Sequence, residues 1–326
     1  MPARAIVERL RSGETLLLDG ATGSEIARRG VYVSKGSTEE KLGPWSATAN
    51  LDAPEIVRQV HEDYLRLGVD VITSNNFWTS PSKLAEVGLA ERWEEVATAA
   101  ARIALAARDA VRPDACVAGG IAPPLWTEGA ARAAERSGVA AWRAVPPRPD
   151  ADLARELGAH AKLLANLGVD LILVEYVGAV ADCVTAVEAC APTGLPVWLG
   201  VRHVTVEGGM QYGESFAELS EALKGHRVEA LLLMCSEPPA ISASLPRLRA
   251  AWDGPIGAYA NIGYKKNPRF GEAGEQWHTI DQATYPPARY ADFAREWVAM
   301  GAQIVGGCCA TGPEHVEAIG PVVKGG

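Results

Sequence analysis

The sequence has no apolar run approaching the roughly 18 residues that span a membrane. Its first residues, Met1-Pro2-Ala3-Arg4, lack the apolar stretch of a signal peptide. It has no excess of positive charge. Its 31 Lys and Arg face 40 Asp and Glu, a net charge of −9, which argues against a nucleic-acid surface. Six cysteines in 326 residues are too few for a disulfide scaffold, and a reducing cytoplasm is the expected location. The Gly-rich turn Gly20-Ala21-Thr22-Gly23-Ser24 has the composition of an anion nest. It matches neither the P-loop nor the dinucleotide-binding pattern.

What is present is a repeat of apolar runs and helical stretches. Runs at 15–18, 69–78 with a polar end, 116–121, 169–176, 196–202, 229–235, 255–261 and 303–307 read as strands. Helices are expected over 3–12, 54–67, 82–112 with breaks, 152–167, 178–191, 215–223, 238–252, 287–300 and 313–322. The strands are continuous apolar runs, as where both faces of a sheet are covered. The hydrophobic share of 48% is enough for a large core. Eight βα units predict an α/β fold, a closed (β/α)8 TIM barrel forming one domain over 1–326. Residues 125–150 read as an irregular insert after the third strand, a lid or excursion. Residues 31–53 and the polar stretch after the seventh strand read as loops.

In such barrels the site lies at the carboxyl ends of the strands. The polar residues there are Asp19, Thr73, Ser74, Asn75, Asn76, Glu175, Arg202, Cys235, Asn261, Cys308 and Cys309. Any one of them also reads as a cap or turn residue. Cys235 ends the sixth strand, and Cys308-Cys309 follow the eighth, so the thiols flank one strand. Three thiols in that place suggest a metal site with one open position, the arrangement of catalytic zinc. Packing is the other reading of each thiol, since free cysteine behaves as a small hydrophobe. Adjacent residues of a strand point to opposite faces. Both members of the pair reach one metal only if the chain leaves extended geometry, and Ala310-Thr311-Gly312-Pro313 supplies that departure. A disulfide between neighbours would be strained.

Leu18-Asp19-Gly20, Asp70-Val71-Ile72-Thr73-Ser74-Asn75, Met234-Cys235 and Gly306-Gly307-Cys308-Cys309 resemble the homocysteine S-methyltransferase family, across about 7–319. The resemblance implies a barrel that binds Zn2+ and methylates homocysteine to methionine, with small molecules as its partners. On that resemblance Cys235, Cys308 and Cys309 hold the metal. Asp19 and Glu175 hold the homocysteine ammonium, with Ser74, Asn75 and Asn76 beside them. Gly43-Pro44-Trp45 and Glu175-Tyr176 are similar to the betaine–homocysteine branch. They imply a donor cage of Trp45, Trp78 and Tyr176 around a betaine-like quaternary ammonium. Asn75-Asn76 is more polar than that branch's aromatic stretch, so a sulfonium donor such as S-methylmethionine or a thetin is the alternative. The sequence stops soon after Cys309, where that branch continues into an assembly arm, so a monomer or small homo-oligomer is expected. The anionic end of a betaine-like donor is expected to meet Lys265, Lys266, Arg269 or His278. A non-catalytic zinc-binding or thiol-sensing barrel would need a fourth protein ligand, with His203 and His315 the candidates. An aldolase-like barrel wants a lysine at a strand end, and no strand ends in one.

Overall fold

The computed structural model describes residues 2–139 and 146–325. Among the described residues there are ten strands: β1 Leu16–Leu17, β2 Val71–Thr73, β3 Cys116–Ile121, β4 Leu171–Val177, β5 Val197–Arg202, β6 Ala230–Met234, β7 Ile256–Ala260, β8 Tyr264–Lys266, β9 His278–Ile280 and β10 Ala302–Gly307. Eight of them form one parallel sheet in the order β1-β10-β7-β6-β5-β4-β3-β2. Its ends meet. A bridge joins Leu18 to Val71, Asp70 N donates to Leu17 O at 2.8 Å, and Asp19 N donates to Val71 O at 3.1 Å. The expected TIM barrel is therefore the fold.

The two-residue period of a strand sorts its side chains into two cores. Leu16, Leu18, Val71, Leu171, Leu173, Trp198, Leu232, Met234 and Ile304 fill the inside of the barrel. Leu17, Ile72, Val117, Ile172, Val174, Leu199, Leu231, Leu233 and Val305 pack outward against the helices. Both faces are apolar, which is why the strands read as unbroken hydrophobic runs. Cys116 belongs to the inner core, and Cys183 and Cys190 to the outer one, so packing accounts for these three thiols. No helix of the described residues is long and apolar enough to cross a membrane.

At the amino-terminal end of the barrel, Asp70 is a buried knot. Its Oδ2 accepts from Leu17 N at 2.9 Å. Its Oδ1 lies 3.0 Å from Arg9, 3.6 Å from Lys324 and 3.7 Å from Arg112. One carboxylate thus ties β1 to β2 and gathers cations from the first helix, the last helix and the segment before β3.

Four stretches differ from expectation. The loop expected over 31–53 ends in a 3-10 turn, Trp45–Thr48, that runs into a short helix, Ala49–Asp52. The Gly-rich turn is the entry to a helix, Thr22–Arg28. The insert, expected to be irregular, carries the helix Glu128–Ser137. Thr127 Oγ1 caps it by accepting from Ala130 N at 3.0 Å. Its small face, Ala130, Ala133 and Ala134, packs with Ala179 and Tyr212. These alanines recur at helical spacing opposite the exposed Arg132, Glu135 and Arg136, so the helical signal was present in the sequence. Residues 140–145 of the insert lie outside the described residues. The polar stretch after β7 holds the antiparallel hairpin β8–β9, with Tyr264 opposite Ile280 and Lys266 opposite His278. Gln276 pins it to the loop after the Thr22–Arg28 helix: it accepts from Val33 N at 3.1 Å and donates to Val31 O at 2.7 Å. Trp277 Nε1 donates to Thr38 O at 2.6 Å. The two segments together roof the carboxyl end of the barrel.

Candidate metal centre and substrate cavity

Cys235 follows β6 with φ at 49°, a left-handed conformation that turns the chain out of the strand. Its backbone N bonds Tyr259 O at 3.1 Å, and Cys308 N bonds Ala260 O at 3.0 Å, so both are registered on β7 between them. A tight turn follows β10. Thr311 donates from its backbone N, at 3.1 Å, and its hydroxyl, at 2.6 Å, to Cys308 O. A Cβ on Gly307 would collide with the Thr311 side chain, so this turn requires glycine. Ala310, at φ 68°, completes the departure from extended geometry that brings Cys309 to the same side as Cys308.

The Sγ of Cys309 lies 3.5 Å from that of Cys235 and 3.8 Å from that of Cys308, and all three lie within 4.8 Å of one another. Tetrahedral thiolate ligands about 2.3 Å from a zinc ion sit ~3.8 Å apart, so this donor set fits one such metal. Hydrogen bonding with Cys308 and Cys309, together with burial, holds the Cys235 thiol well above its ordinary range. Hydrogen bonds with Cys235 and Cys308 hold Cys309 well below it. No histidine or carboxylate among the described residues joins the cluster. His315 is committed to Tyr285 O at 3.0 Å and Gly312 N at 3.3 Å, and His203 to the Tyr176 hydroxyl at 3.0 Å. The closed fourth ligand of a structural zinc site is therefore missing among these residues.

The thiols open on a cavity of about 410 Å³. Asp19 and Glu175 line it. Asp19 accepts from Thr73 N at 2.7 Å and Thr73 Oγ1 at 3.2 Å. Burial nevertheless raises its pKa to about 7. Glu175 accepts from Tyr259 OH at 3.3 Å. Burial first, then the charges of Cys308 and Asp19, hold it well above the usual carboxylate range. In a regular strand Glu175 and Tyr176 would face opposite ways. Here the β4–β5 register shifts between Val174 and Val177, and Tyr176 adopts φ 67°. This irregularity lets both side chains reach the cavity. Four described non-glycine residues with positive φ, Trp45, Tyr176, His203 and Cys235, line this one cavity. Backbone strain of this kind clusters where a surrounding structure over-determines a functional site.

The aromatic residues Trp45, Trp78 and Tyr176 all line the cavity. Phe77, not singled out from the sequence, stands between two of them, 4.9 Å from Trp78 and 5.6 Å from Tyr176 by ring centroid. Protein cations already lie over two of the rings: Lys83 Nζ is 4.1 Å from the Trp78 centroid and Arg202 is 4.8 Å from that of Tyr176. Lys83 also donates to Leu42 O at 3.0 Å, tying Trp78 to the loop that carries Trp45.

Ser74 and Asn75 line the cavity and Asn76 does not. Asn76 is fully buried behind it, donating to Ala97 O at 2.9 Å and accepting from Ser74 Oγ at 2.7 Å. Asn75 uses its amide on Ser46 O and Asn50 Oδ1 and accepts from Ser46 Oγ, which fixes the Trp45 turn. Of the four residues expected to meet a donor's anionic end, His278 alone reaches the cavity, and burial pushes it down to about 3, so its imidazole is neutral there. Lys266 pairs with Glu39 of the loop before Trp45 at 3.1 Å, and Arg269 with Glu275 of the hairpin's own connection at 2.5 Å. Trp277 and Glu40 line the mouth as well. Trp277 was illegible in sequence because its place depends on a hairpin of three-residue strands.

The homocysteine S-methyltransferase family profile matches residues 16–323. Betaine–homocysteine S-methyltransferase 1 of Bos taurus is 28% identical, over 97% of this chain and 74% of that protein. S-methylmethionine–homocysteine S-methyltransferase of Rattus norvegicus is 27% identical, over 97% and 80%. In structure, the homocysteine methyltransferase MmuM from Escherichia coli, in its metallated form, superposes with a TM-score of 0.72 at 23% identity. That superposition covers 98% of this chain and 99% of the other. With the matched profile running through nearly all of the barrel, from β1 into the last helix, the chain belongs to the homocysteine S-methyltransferase family.

Proposed function

We propose that this protein transfers a methyl group from an onium donor to the thiol of homocysteine, giving methionine, with zinc held by Cys235, Cys308 and Cys309. The observation that carries this reading is three gathered thiols facing a cavity that also holds two buried carboxylates and a group of aromatic rings. Zinc in such a site supplies the acidity that makes a coordinated thiol a thiolate at neutral pH. Asp19 and Glu175 pair with the amino-acid ammonium, and Ser74 lines the same wall. The amine or thioether that leaves an onium centre departs neutral, so no side chain has to deliver a proton. The chain's part is to hold acceptor and donor in line and keep water out.

Trp45, Trp78 and Tyr176 support a betaine-like quaternary ammonium, since aromatic faces attract desolvated cations. A sulfonium donor such as S-methylmethionine is the second reading. It is favoured by the acids Asp19, Glu40 and Glu175 on the cavity wall and by the engagement of Lys266 and Arg269 elsewhere. Six free thiols support a reducing compartment such as the cytoplasm. The test is methionine formation by zinc-loaded protein from homocysteine and a panel of betaine, thetin and S-methylmethionine. Turnover of one donor class identifies it. Binding of zinc and homocysteine with no methionine from any onium compound would replace the enzyme by a thiol-sensing barrel.

A further inference from the structure

Tyr176 is held more elaborately than a ring lining a cavity requires. Its hydroxyl lies 3.0 Å from His203 Nε2, and the two rings meet edge to face at 5.2 Å. Arg202, 5% exposed, stacks on Tyr176 and donates to Leu125 O at 3.0 Å and Tyr212 OH at 3.4 Å. No carboxylate among the described residues lies within ion-pair distance of it. Its charge has a use one residue along the chain. Burial, and then Arg202, push His203 down to about 4, so the imidazole is neutral. A neutral imidazole has one donor and one acceptor nitrogen. Gln211 Oε1 adjoins the ring and is buried without another partner, which offers an acceptor for Nδ1–H. That tautomer leaves Nε2 as the acceptor.

We infer that His203 is a positioning residue, taking the Tyr176 hydroxyl proton in a hydrogen bond and so presenting the lone pairs of the phenol oxygen to the methyl C–H groups of the donor. The inference rests on the onium-transfer reading for its substrate class. Methyl groups on a positive nitrogen or sulfur carry polarised C–H bonds, and an oxygen about 3.3–3.6 Å from the carbon is attracted to them. A hydroxyl proton left free to rotate into the cavity would repel them. Lys83 and Arg202 already lie over the Trp78 and Tyr176 rings, so an oxygen acceptor adds attraction that those π faces share with protein cations. Arg202 serves the same end at one remove by keeping His203 neutral.

The test uses the full-length zinc-loaded protein and a fluorescence titration with tetramethylammonium, which presents onium methyl groups without an amino-acid end. His203→Leu should weaken binding about fivefold, the worth of one or two such contacts. Tyr176→Phe should do the same, and the double variant should lose no more than either alone, as coupled partners do. His203→Gln, whose amide oxygen accepts the same proton, should stay within about twofold of wild type. With a donor that turns over, His203→Leu should raise the donor KM and leave the homocysteine KM unchanged. Additive losses in the double variant, or equal losses in His203→Gln and His203→Leu, would overturn the inference, because a packing role needs volume and not an acceptor. Tetramethylammonium bound with this pattern, but no methionine formed from any onium compound, would sink the methyl-transfer reading and leave the Tyr176 assignment standing. Wild-type protein that does not bind tetramethylammonium would sink the assignment, whatever donor turns over.

Discussion

Replacing Asp19 by asparagine tests the ammonium site through its pH dependence. Burial raises this carboxyl from 3.8 to about 7, against the opposing hydrogen bonds from Thr73. In the free protein below pH 7 it therefore carries a proton, which it must lose to pair with an ammonium. L-Methionine is the right probe, since it has the amino-acid end and no thiol, and its ammonium stays largely charged below about pH 7.5. Its affinity should rise with pH toward 7, by up to about tenfold per unit, and then level off. Asp19→Asn keeps the shape and an oxygen for Thr73 but removes the charge. At about pH 7.5 it should bind methionine roughly 10- to 150-fold more weakly, from ~1.5–3 kcal/mol for a charge-assisted hydrogen bond, and the slope below pH 7 should vanish. Glu175 is likewise held above the usual carboxylate range, by burial first and then by the charges of Cys308 and Asp19. Stability moves the opposite way. The folded state keeps a proton that the unfolded chain releases, so the contribution is full below pH 3.8 and is lost as pH rises to about 7. Three pH units amount to something on the order of 4 kcal/mol, which Asp19→Asn should remove from the pH profile of the urea midpoint. Calorimetric titration and urea unfolding read the two effects. Methionine binding that keeps its slope in Asp19→Asn would refute the assignment.

Cys235→Ala and Cys308→Ala should each lose bound zinc, and a chelator should lower the melting temperature of wild type only; full zinc content in both variants would remove these thiols from the metal site. A Cβ at Gly23 would collide with Trp45 Nε1, so Gly23→Ala should raise the donor KM at unchanged zinc content. An unaltered donor KM would take Trp45 out of the donor site. Asp70→Asn can keep the bond to Leu17 N but leaves Arg9, Arg112 and Lys324 facing one another. These cations are 23–39% exposed, so screening trims the cost of the broken buried pair to ~1–2 kcal/mol in urea unfolding, and a null result would mean solvent already satisfies them. Gly120→Ala places a methyl 2.9 Å from Glu175 Oε2 and should weaken homocysteine binding more than donor binding, measured as separate KM values.

The barrel was legible because its strands are apolar on both faces and alternate with helices eight times over. The thiols were legible because two are adjacent and the third ends a strand, so closure of the ring alone brings them together. Sequence failed where side-chain direction is set by local backbone. Glu175 and Tyr176 were placed at the site by the resemblance alone, because the irregular step in β4 that turns both into the cavity is announced by no residue type. Asn75 and Asn76 carry the same chemistry and are neighbours, yet one lines the cavity and the other is consumed behind it by Ala97 and Ser74. The β8–β9 hairpin escaped because three-residue strands of mixed polarity carry no usable period. Its lysine and arginine were assigned to the donor by position in the chain, and the hairpin turns them to Glu39 and Glu275.

The seam of the barrel lies between β1, two residues long, and β2, three residues long. It is held by a short bridge, by the Asp70 knot at one end and by the Asp19 carboxylate at the other, which takes two hydrogen bonds from Thr73 across the gap. The thiols follow β10, which pairs with β1, and β6, two strands further round, on the wall built from β6, β7 and β10. On the proposed reading, an amino acid in the cavity is held at its sulfur from the ends of β6 and β10 and at its ammonium by the carboxylate that staples the ring. On that reading the ligand adds its own pairing to the side chain that holds the barrel shut, so occupancy and closure reinforce each other by mass action.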